Sequence, residues 1–317
     1  MRIPSPEELL KISEKETRGL FQRYDKEHTA IARIQEASKM SLQVYKQPLI
    51  VTTSGGKDSS VCVALAERAG IPFEVQHNHT TADAPETVRF VREEFKRLEA
   101  AGIKCTINYP VYKGKRTSMW NLIPQKLIPP MRIRRYCCSV LKERGGAGRF
   151  IVTGVRWAES VMRKNNRGIY EDGREIILNN DNDDRRRLFE NCRLKASRVC
   201  NPIIDWTDAD VWDYINSEHL PLNPLYQCGW SRVGCIGCPM AGTKGRQKEF
   251  ARYPIYQQNY IRAFDRMLKE LERKGKMQGT WNMGTTGEDV FHWWMEDGVS
   301  PGQIDIDTYM ELMDTGE

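Results

Sequence analysis

The stretch Ser54-Gly55-Gly56-Lys57-Asp58-Ser59 (SGGKDS) decides the fold through what stands on either side of it. Before it, residues 48–53 (PLIVTT) form a short apolar run rich in β-branched side chains, which predicts a buried strand. After it, residues 60–69 carry apolar side chains at helical spacing, and Gly70 is a helix stop. A strand, a glycine turn and a helix together direct backbone N–H groups and the positive end of a helix dipole at an anion. Because Lys57 adds a positive charge, we predict a loop that binds nucleotide phosphates.

The SGGKDS loop is not a Walker A sequence, which requires GxxxxGK[ST]. It resembles the PP-loop of the ATP pyrophosphatase superfamily, whose members cleave ATP between the α- and β-phosphates. Within that superfamily the chain is most similar to the phosphoadenosine-phosphosulfate reductase branch. The resemblance implies an α/β fold with a doubly wound, mostly parallel sheet of the adenine nucleotide alpha hydrolase-like class, with the nucleotide at the carboxyl ends of the strands.

Three segments follow from this resemblance and from the helical patterns around it. Residues 1–45 are predicted as an N-terminal helical segment, and residues 46–244 as the PP-loop α/β domain with an iron–sulfur site. Residues 245–317 are predicted as a C-terminal helical segment, with helical stretches over residues 246–274 and 287–296. Residues 111–130 are expected to be irregular.

Composition limits the class of protein. With 317 residues, 40% apolar and 28% charged, the chain has enough apolar residues for a packed core. It contains no apolar run of membrane-spanning length and no signal peptide, so we expect a cytoplasmic protein with no membrane partner. Residues 131–200 contain 17 Lys and Arg against 9 Asp and Glu, an excess that suits an anionic partner such as nucleotide phosphate, sulfate or nucleic acid. A solvated charged face explains the same excess.

A second glycine motif follows the strand predicted at residues 149–153. The sequence around Gly154 and Arg156 resembles the family's glycine-arginine motif, whose loop and arginine contact the phosphates. The resemblance implies that the side chains of Lys57, Arg156 and Arg163 offset the negative charge that develops on the phosphates. It also implies that Asp58 orients Mg²⁺ or Lys57. The implied catalytic residues are Lys57, Asp58, Arg156 and Arg163. The implied ATP-binding residues are Thr53, Ser54, Gly55, Gly56, Lys57, Asp58, Ser59, Gly154, Arg156 and Glu159.

The nine cysteines argue for metal or redox chemistry, since an odd number without a secretion signal does not suggest a disulfide framework. Five of them form the candidate metal set: Cys137, Cys138, Cys228, Cys235 and Cys238. Arginines beside the adjacent pair favour the thiolate, the form that binds metal. The C-terminal part of the set is a CxxC flanked by glycine and proline, which is a strong metal signal. The isolated Cys105 is expected in the core, and Cys192 and Cys200 are expected to take no part.

The identity of the metal group is open at this stage. Zinc would accept four thiolates, whereas in the resembled family an adjacent cysteine pair with a distant CxxC binds a 4Fe–4S cluster. A second pattern, CGxSRxGCxxC, resembles the ATP pyrophosphatase component of DNA phosphorothioation systems, where Cys228 would replace Cys138. The sequence does not decide which four cysteines are ligands. His77 and His79 alternate along an extended segment, which is compatible either with a two-histidine metal site or with a strand-end pair that faces solvent or substrate.

The resemblance implies an ATP pyrophosphatase with a 4Fe–4S cluster that acts in sulfur transfer, using ATP and Mg²⁺. A cysteine desulfurase or another sulfur donor would be its partner, and DNA, tRNA and a small metabolite are all open as acceptor. The first alternative is an adenylyl-sulfate or phosphoadenylyl-sulfate reductase. Those enzymes use a C-terminal cysteine in a Glu-Cys-Gly context, but no cysteine follows Cys238 here. The second alternative is a non-catalytic nucleotide-binding subunit of a defence or modification system.

Overall fold

The computed structural model describes residues 6–143, 145–146, 148–172, 198–276 and 284–296, with side chains from residue 26 onward. Eight strands lie in the described residues, six in one sheet and two in a hairpin. Their bounds are β1 Leu49–Thr53, β2 Phe73–Asn78, β3 Lys104–Asn108, β4 Val111–Tyr112, β5 Lys115–Arg116, β6 Phe150–Val152, β7 Tyr170–Asp172 and β8 Arg198–Cys200.

Ten α-helices surround the sheet in the described part of the chain. They are α1 Pro6–Tyr45, α2 Lys57–Arg68, α3 Pro85–Ala100, α4 Met119–Lys126, α5 Val161–Asn166, α6 Asp208–Ser217, α7 Pro224–Gln227, α8 Gly242–Arg252, α9 Pro254–Arg273 and α10 Gly287–Met295. A short π-helix at Cys138–Lys142 and 3₁₀ turns at Trp157–Glu159 and Pro239–Ala241 complete the regular elements. No described helix is both long enough and apolar enough to span a membrane.

The strand order creates a crevice beside β1. The six strands lie in the order β3-β2-β1-β6-β8-β7, and β7 alone runs antiparallel to its neighbour. From β1 the chain winds outward through β2 to β3, and then returns to place β6 on the other side of β1. The reversal puts a topological switch point between β1 and β6, where ligands of doubly wound sheets bind at the carboxyl ends. The predicted fold class is confirmed.

The local patterns explain why β1 is central. Its residues Leu49 and Val51 are fully buried, and both neighbours pair with it in parallel, β2 through Leu49 and Phe73 and β6 through Ile50 and Ile151. A strand covered by helices on both faces must be apolar on both, as the run LIV is. The strands and the helix predicted around SGGKDS lie within a few residues of their observed positions.

A second core lies beside the sheet and surrounds the cysteine segments. It is formed by buried residues of α4, the π-helix, the turn before α8 and helices α8 to α10, including Leu122, Ile236, Phe250, Tyr260 and Trp294. This core contains residues from both sides of the predicted boundary at residue 245.

Residues 246–274 are helical as predicted and form two helices, because Pro254 has no N–H to continue α8 and Tyr253 leaves helical geometry with φ −125° and ψ 66°. One expectation about secondary structure was wrong. Residues 111–130, predicted as irregular, contain the β4–β5 hairpin and α4, which Ser118 caps by accepting from the Asn121 N–H. Cys105 is half-buried on β3, Cys200 is buried on β8, and Cys192 lies outside the described residues.

Candidate functional site

The SGGKDS loop needs its first glycine for two physical reasons. Gly55 has φ +73°, which side-chain-bearing residues rarely adopt. A Cβ atom there would also lie 2.9 Å from Thr87 Cγ2 and 3.0 Å from Val91 Cγ2, so the loop packs directly on α3. The buried Asn223 fixes this contact because its amide donates to both the Gly55 carbonyl (3.1 Å) and Thr87 Oγ1 (3.0 Å).

Part of the hydrogen-bonding capacity of the loop is used internally. The Ser54 N–H donates to Ser59 Oγ (3.2 Å), and the Gly55 N–H donates to Thr53 Oγ1 (3.2 Å). The Lys57 N–H, at the start of α2, donates to the hydroxyl of Tyr226 (2.9 Å). Burial raises the pKa of Tyr226 to about 12, so the phenol keeps its proton at neutral pH. Tyr226 can therefore donate that proton to an anion while it accepts from the loop.

Arg156 is the central cation of the site, and it is almost completely buried at 2% exposed. Its Nε donates to Asp58 Oδ1 (2.7 Å), its Nη2 to Asp208 Oδ1 (2.7 Å) and its Nη1 to the carbonyl of Trp206 (3.2 Å). The contact of Arg156 with phosphate, which the resemblance implies, stays a prediction. In the structure its guanidinium binds two carboxylates, which it orients as a planar fork.

Lys57 joins the same network from the loop side. Its Nζ lies 3.2 Å from Asp58 Oδ2 and 3.2 Å from Asp208 Oδ1. The Asp208 side chain is 72% exposed, in contrast to Lys57 at 10%, so its carboxylate lies where a ligand can reach it. The hydrogen bond from Arg156, with a further contribution from Lys57, lowers the pKa of Asp208 and maintains the carboxylate as an anion.

Gly154 lets the two motifs approach each other. A Cβ atom there would lie 2.9 Å from both the carbonyl carbon and the carbonyl oxygen of Asp58. The backbone after β6 therefore packs directly on the first turn of α2. This explains why glycines occur in both motifs.

Glu159 and Arg163, whose implied roles at the nucleotide stay predictions, contact each other, and Glu159 also contacts the backbone of Arg156. The Glu159 carboxylate accepts from the Arg156 backbone N–H (3.0 Å) and closes a capping box at the 3₁₀ turn. Arg163 forms an ion pair with Glu159 and is 42% exposed. Glu159 therefore positions Arg156, and the described ion pair of Arg163 is with Glu159.

The structure brings four of the five candidate cysteines together. Cys137, Cys138, Cys235 and Cys238 line a cavity of about 20 Å³, together with Thr80, Met119, Pro130, Leu141, Lys142, Pro239 and Tyr260. Cys228 is exposed and is not part of this lining. The adjacent cysteines come from the π-helix region and the CxxC from the turn before α8, so the cavity joins two distant parts of the chain.

The charge around the cavity suits thiolates. Interaction with Cys137 lowers the pKa of Cys138 well below its usual value, and Lys142 and Arg135 add to this effect. Arg135 Nη2 lies 3.4 Å from Cys138 Sγ. Lys142 is half-buried, and the cysteines, Cys235 foremost, raise its pKa and stabilise its cationic form. Two cations beside four thiols reduce the cost of burying negative sulfur ligands.

The turn after β2 connects the phosphate loop with the cysteine cavity. The Ile236 N–H donates to the Ala82 carbonyl (2.7 Å), and Asp83 forms a β-bridge with Cys235. Thr80 Oγ1 lies 3.3 Å from Cys235 Sγ. Towards the phosphate loop, the ring of His77 forms a hydrogen bond with the Thr53 carbonyl at the end of β1 (2.9 Å).

Several residues of the site were not predicted from the sequence. Asp208, in the first turn of α6, was not assigned any role. Tyr226, Asn223 and Lys142 were not assigned any role. Tyr226 and Asn223 are separated in sequence from the loop residues they contact by more than 160 residues. No local sequence pattern predicts such contacts. Lys142 follows Cys138 by four residues, and this spacing could have predicted that Lys142 lies close to the cysteine pair.

The fold and the site define a doubly wound α/β protein with a glycine loop at the carboxyl end of β1 and a separate four-cysteine cavity. The family model described as the phosphoadenosine phosphosulfate reductase domain matches residues 48–241, and the chain belongs to this family.

The proteins whose sequences resemble this chain are distant relatives. An uncharacterized protein of Methanocaldococcus jannaschii is 29% identical over 260 residues, covering 77% of this chain and 54% of its own length. A second uncharacterized protein of the same organism is 25% identical, and 44% of its length is matched, so the chain spans about half of these two relatives. The adenosine 5′-phosphosulfate reductase of Lysinibacillus sphaericus is 24% identical over 213 residues, covering 64% of this chain and 78% of that protein.

Among solved structures, the phosphoadenylyl-sulfate reductase of Candida auris aligns with a TM-score of 0.41 and 19% identity, covering 63% of this chain and 87% of that one. The FMN adenylyltransferase of Candida glabrata aligns with a TM-score of 0.40 and 14% identity, covering 68% of this chain and 64% of that one.

Proposed function

We propose that this protein is a PP-loop ATP pyrophosphatase with a 4Fe–4S cluster, which activates an acceptor for sulfur transfer. The observation that carries the proposal is the pair of carboxylates at the phosphate loop, where Asp58 and Asp208 share Arg156 and Lys57. Two oriented carboxylates beside a glycine loop suit Mg²⁺ bound with substrate phosphates. Hydrolysis of ATP at the α-phosphate needs such a metal, because pyrophosphate leaves with a high negative charge.

The chain's own residues supply binding and charge in this reaction. The N-terminus of α2 and the Tyr226 hydroxyl bind phosphate oxygens, and Lys57 stabilises the charge that develops on them. An acceptor oxygen attacks the α-phosphorus, the bond to the β-phosphate oxygen breaks, and pyrophosphate leaves. A sulfur nucleophile then attacks the acceptor atom that bears the adenylated oxygen, the bond between that atom and the oxygen breaks, and AMP leaves. Arg156 acts indirectly in this reaction, because its guanidinium orients the carboxylates of Asp58 and Asp208.

The four-cysteine cavity fits an iron–sulfur cluster by the chemistry of its donors. Cys137, Cys138, Cys235 and Cys238 supply four thiol ligands, the number that a 4Fe–4S cluster takes. Four thiolates can also bind a single zinc ion. The resemblance of the cysteine pattern to that of cluster-binding family members favours the iron–sulfur group. When bound, such a cluster supplies a site for sulfur or electron transfer.

The proposal is tested by incubating anaerobically purified protein with ATP and Mg²⁺ and measuring AMP and pyrophosphate together. Lys57→Ala should lower the rate at least about 100-fold, the effect of removing one oriented charge from a transition state. Lys39→Ala, at an exposed position of α1, is the matched control and should keep the rate. Because the acceptor is unidentified, binding of ATP with Mg²⁺ is measured calorimetrically on the same samples. Binding and turnover that are equal in Lys57→Ala and in the unchanged protein would refute the assignment.

A reductase is the second candidate, favoured by the similarity to the Lysinibacillus enzyme and by the family itself. A reductase would release sulfite from adenylyl sulfate or its 3′-phosphorylated form with reduced thioredoxin as electron donor. We expect no sulfite from this chain, because the cavity commits four of its thiols to one site. Sulfite formation at enzymatic rates would establish the reductase instead, and binding of nucleotide without either reaction would indicate a non-catalytic subunit.

A further inference from the structure

A second group of ligating side chains lies at the end of β2 and in the turn after it. One ring nitrogen of His77, one of His79 and one carboxylate oxygen of Asp83 all lie within 4.8 Å of one another. We propose that these three residues bind a divalent transition-metal ion, distinct from the group bound by the cysteines. The inference does not depend on the reaction proposed above.

A hydrogen bond to one ring nitrogen of His77 leaves the other ring nitrogen available to bind a metal ion. Its Nδ1 lies 2.9 Å from the Thr53 carbonyl oxygen, which can only accept, so Nδ1 carries the proton in the neutral ring. The lone pair then resides on Nε2, which is buried and has no hydrogen-bond partner among the described residues. The whole side chain is 3% exposed. A metal-binding histidine commonly donates its other N–H to a backbone carbonyl in this way, whereas an unpartnered buried nitrogen is costly without a ligand.

His79 and Asp83 complete the group from the turn. Nδ1 of His79 lies 3.3 Å from Oδ2 of Asp83, and ligands around one ion with bonds of about 2.1 Å lie about 3.4 Å apart. The Thr80 N–H donates to the same Asp83 oxygen (2.7 Å) and fixes the buried carboxylate. An ion pair between a protonated His79 and Asp83 explains their contact, but it leaves Nε2 of His77 without a partner.

The donor set selects the kind of ion. Two imidazoles and one carboxylate suit Zn²⁺, Fe²⁺ or Co²⁺, and three protein ligands leave positions open for water or an anion. Lys142 contributes positive charge at both His77 and Asp83, which weakens cation binding. The cysteines around Lys142 offset that charge when they are thiolates. The site lies beside the carboxyl end of β1, where the ring of His77 is hydrogen-bonded to the Thr53 carbonyl.

Cobalt titration of the full chain, with the cysteine site reconstituted under anaerobic conditions, tests the proposal. We expect one equivalent of Co²⁺ to bind with visible d–d bands and without a thiolate-to-cobalt charge-transfer band. His79→Ala and Asp83→Asn should each weaken Kd by at least about 100-fold, since even residues that only orient a ligand account for 10- to 100-fold. Asp83→Asn retains an oxygen that accepts from Thr80, so the turn should fold even if His79→Ala does not.

His292→Ala, an exposed histidine on α10, is the matched control and should bind Co²⁺ unchanged. Cys238→Ser separates the two sites, because the cobalt bands should persist in it. An unchanged Kd in both His79→Ala and Asp83→Asn, with folding verified by circular dichroism, would overturn the proposal. So would cobalt bands of thiolate character that disappear in Cys238→Ser, or the absence of any binding to the folded chain.

Discussion

At the scale of single residues, the carboxylate of Asp208 is the most exposed member of the ion-pair network at the phosphate loop. We predict that Asp208→Asn lowers ATP turnover about 100-fold, the usual effect of removing one oriented group from a charged transition state. Stability should fall by about 1–3 kcal/mol, because the variant weakens one charged hydrogen bond of the buried Arg156, which keeps its bond to Asp58. Steady-state kinetics and thermal melting measure the two effects separately. Asp213→Asn, at an exposed position of the same helix, is the control, and equal loss in both variants would contradict a specific role for Asp208.

A second prediction at this scale concerns Gly154, which lies against the backbone of Asp58. A Cβ atom would lie 2.9 Å from the Asp58 carbonyl group, and backbone cannot move aside as a flexible side chain can. Gly154→Ala should therefore displace the first turn of α2, weaken binding of ATP with Mg²⁺ and cost about 1–3 kcal/mol of stability. Gly234→Ala is the control, since its nearest neighbour is the end of the Arg232 side chain at 3.2 Å. Nucleotide affinity that falls equally in the two variants would argue against the close approach.

At the scale of elements, the helix α1 is joined to the loop before α6 by a two-pronged ion pair. Arg33 donates to both oxygens of Asp205 (2.8 and 2.9 Å) and to the carbonyl of Pro202 (2.8 Å). Burial raises the pKa of Asp205, but the hydrogen bonds and charge of Arg33 outweigh it, and the pKa is lowered below 3.8. A lowered pKa means that the pair stabilises the fold above the unfolded-state pKa and that this stability is lost as pH falls through the folded-state pKa.

We therefore predict that Arg33→Met lowers the free energy of unfolding at pH 7 by about 1 kcal/mol, since the pair is partly exposed. The difference from the unchanged protein should shrink as the pH falls through the lowered folded-state pKa of Asp205. Urea unfolding at pH 7 and near pH 3 measures both values. Lys39→Met, on the same helix and 71% exposed, is the control. A difference of equal size at both pH values would indicate that packing, and not the ion pair, joins the elements.

A further element, α10, closes the core around the cysteine cavity. Trp294 is 2% exposed, donates its Nε1 proton to the Pro130 carbonyl (2.6 Å) and packs on Tyr260 with ring centres 4.8 Å apart. Trp294→Ala should cost about 3–5 kcal/mol, because the cavity left behind cannot collapse completely. Chemical unfolding should show a much smaller loss for the half-buried neighbour variant Trp293→Ala. Equal losses would mean that α10 does not pack as described.

At the scale of the whole molecule, the sequence was sufficient for the parts of the fold that depend on local patterns. The run before SGGKDS, the glycine turn and the helix after it are local features, and each lies where the periodicity placed it. The break at Pro254 was also a local signal, but the aromatic periodicity on both sides obscured it. The contacts of Tyr226 and Asn223 with the loop arise only when distant segments pack together, so no spacing in the sequence could reveal them. The same limit applied to the choice among five cysteines.

The cysteine cavity joins two segments that are far apart in the sequence, and this gives the last prediction. A cluster bound through both the adjacent pair and the CxxC closes a long loop of chain and binds only the folded state, so it should stabilise the molecule. Cys238→Ser should lose iron and sulfide after anaerobic reconstitution and should melt at a lower temperature than the unchanged protein. Cys228→Ser should retain both iron and melting temperature, because Cys228 is exposed and lies outside the cavity lining. Removing iron with a chelator should lower the melting temperature of the unchanged protein and of Cys228→Ser, but not that of Cys238→Ser. Loss of iron in Cys228→Ser, with retention in Cys138→Ser, would mean that the cluster uses Cys228 in place of Cys138 and that the turn after α7 rearranges when the cluster binds.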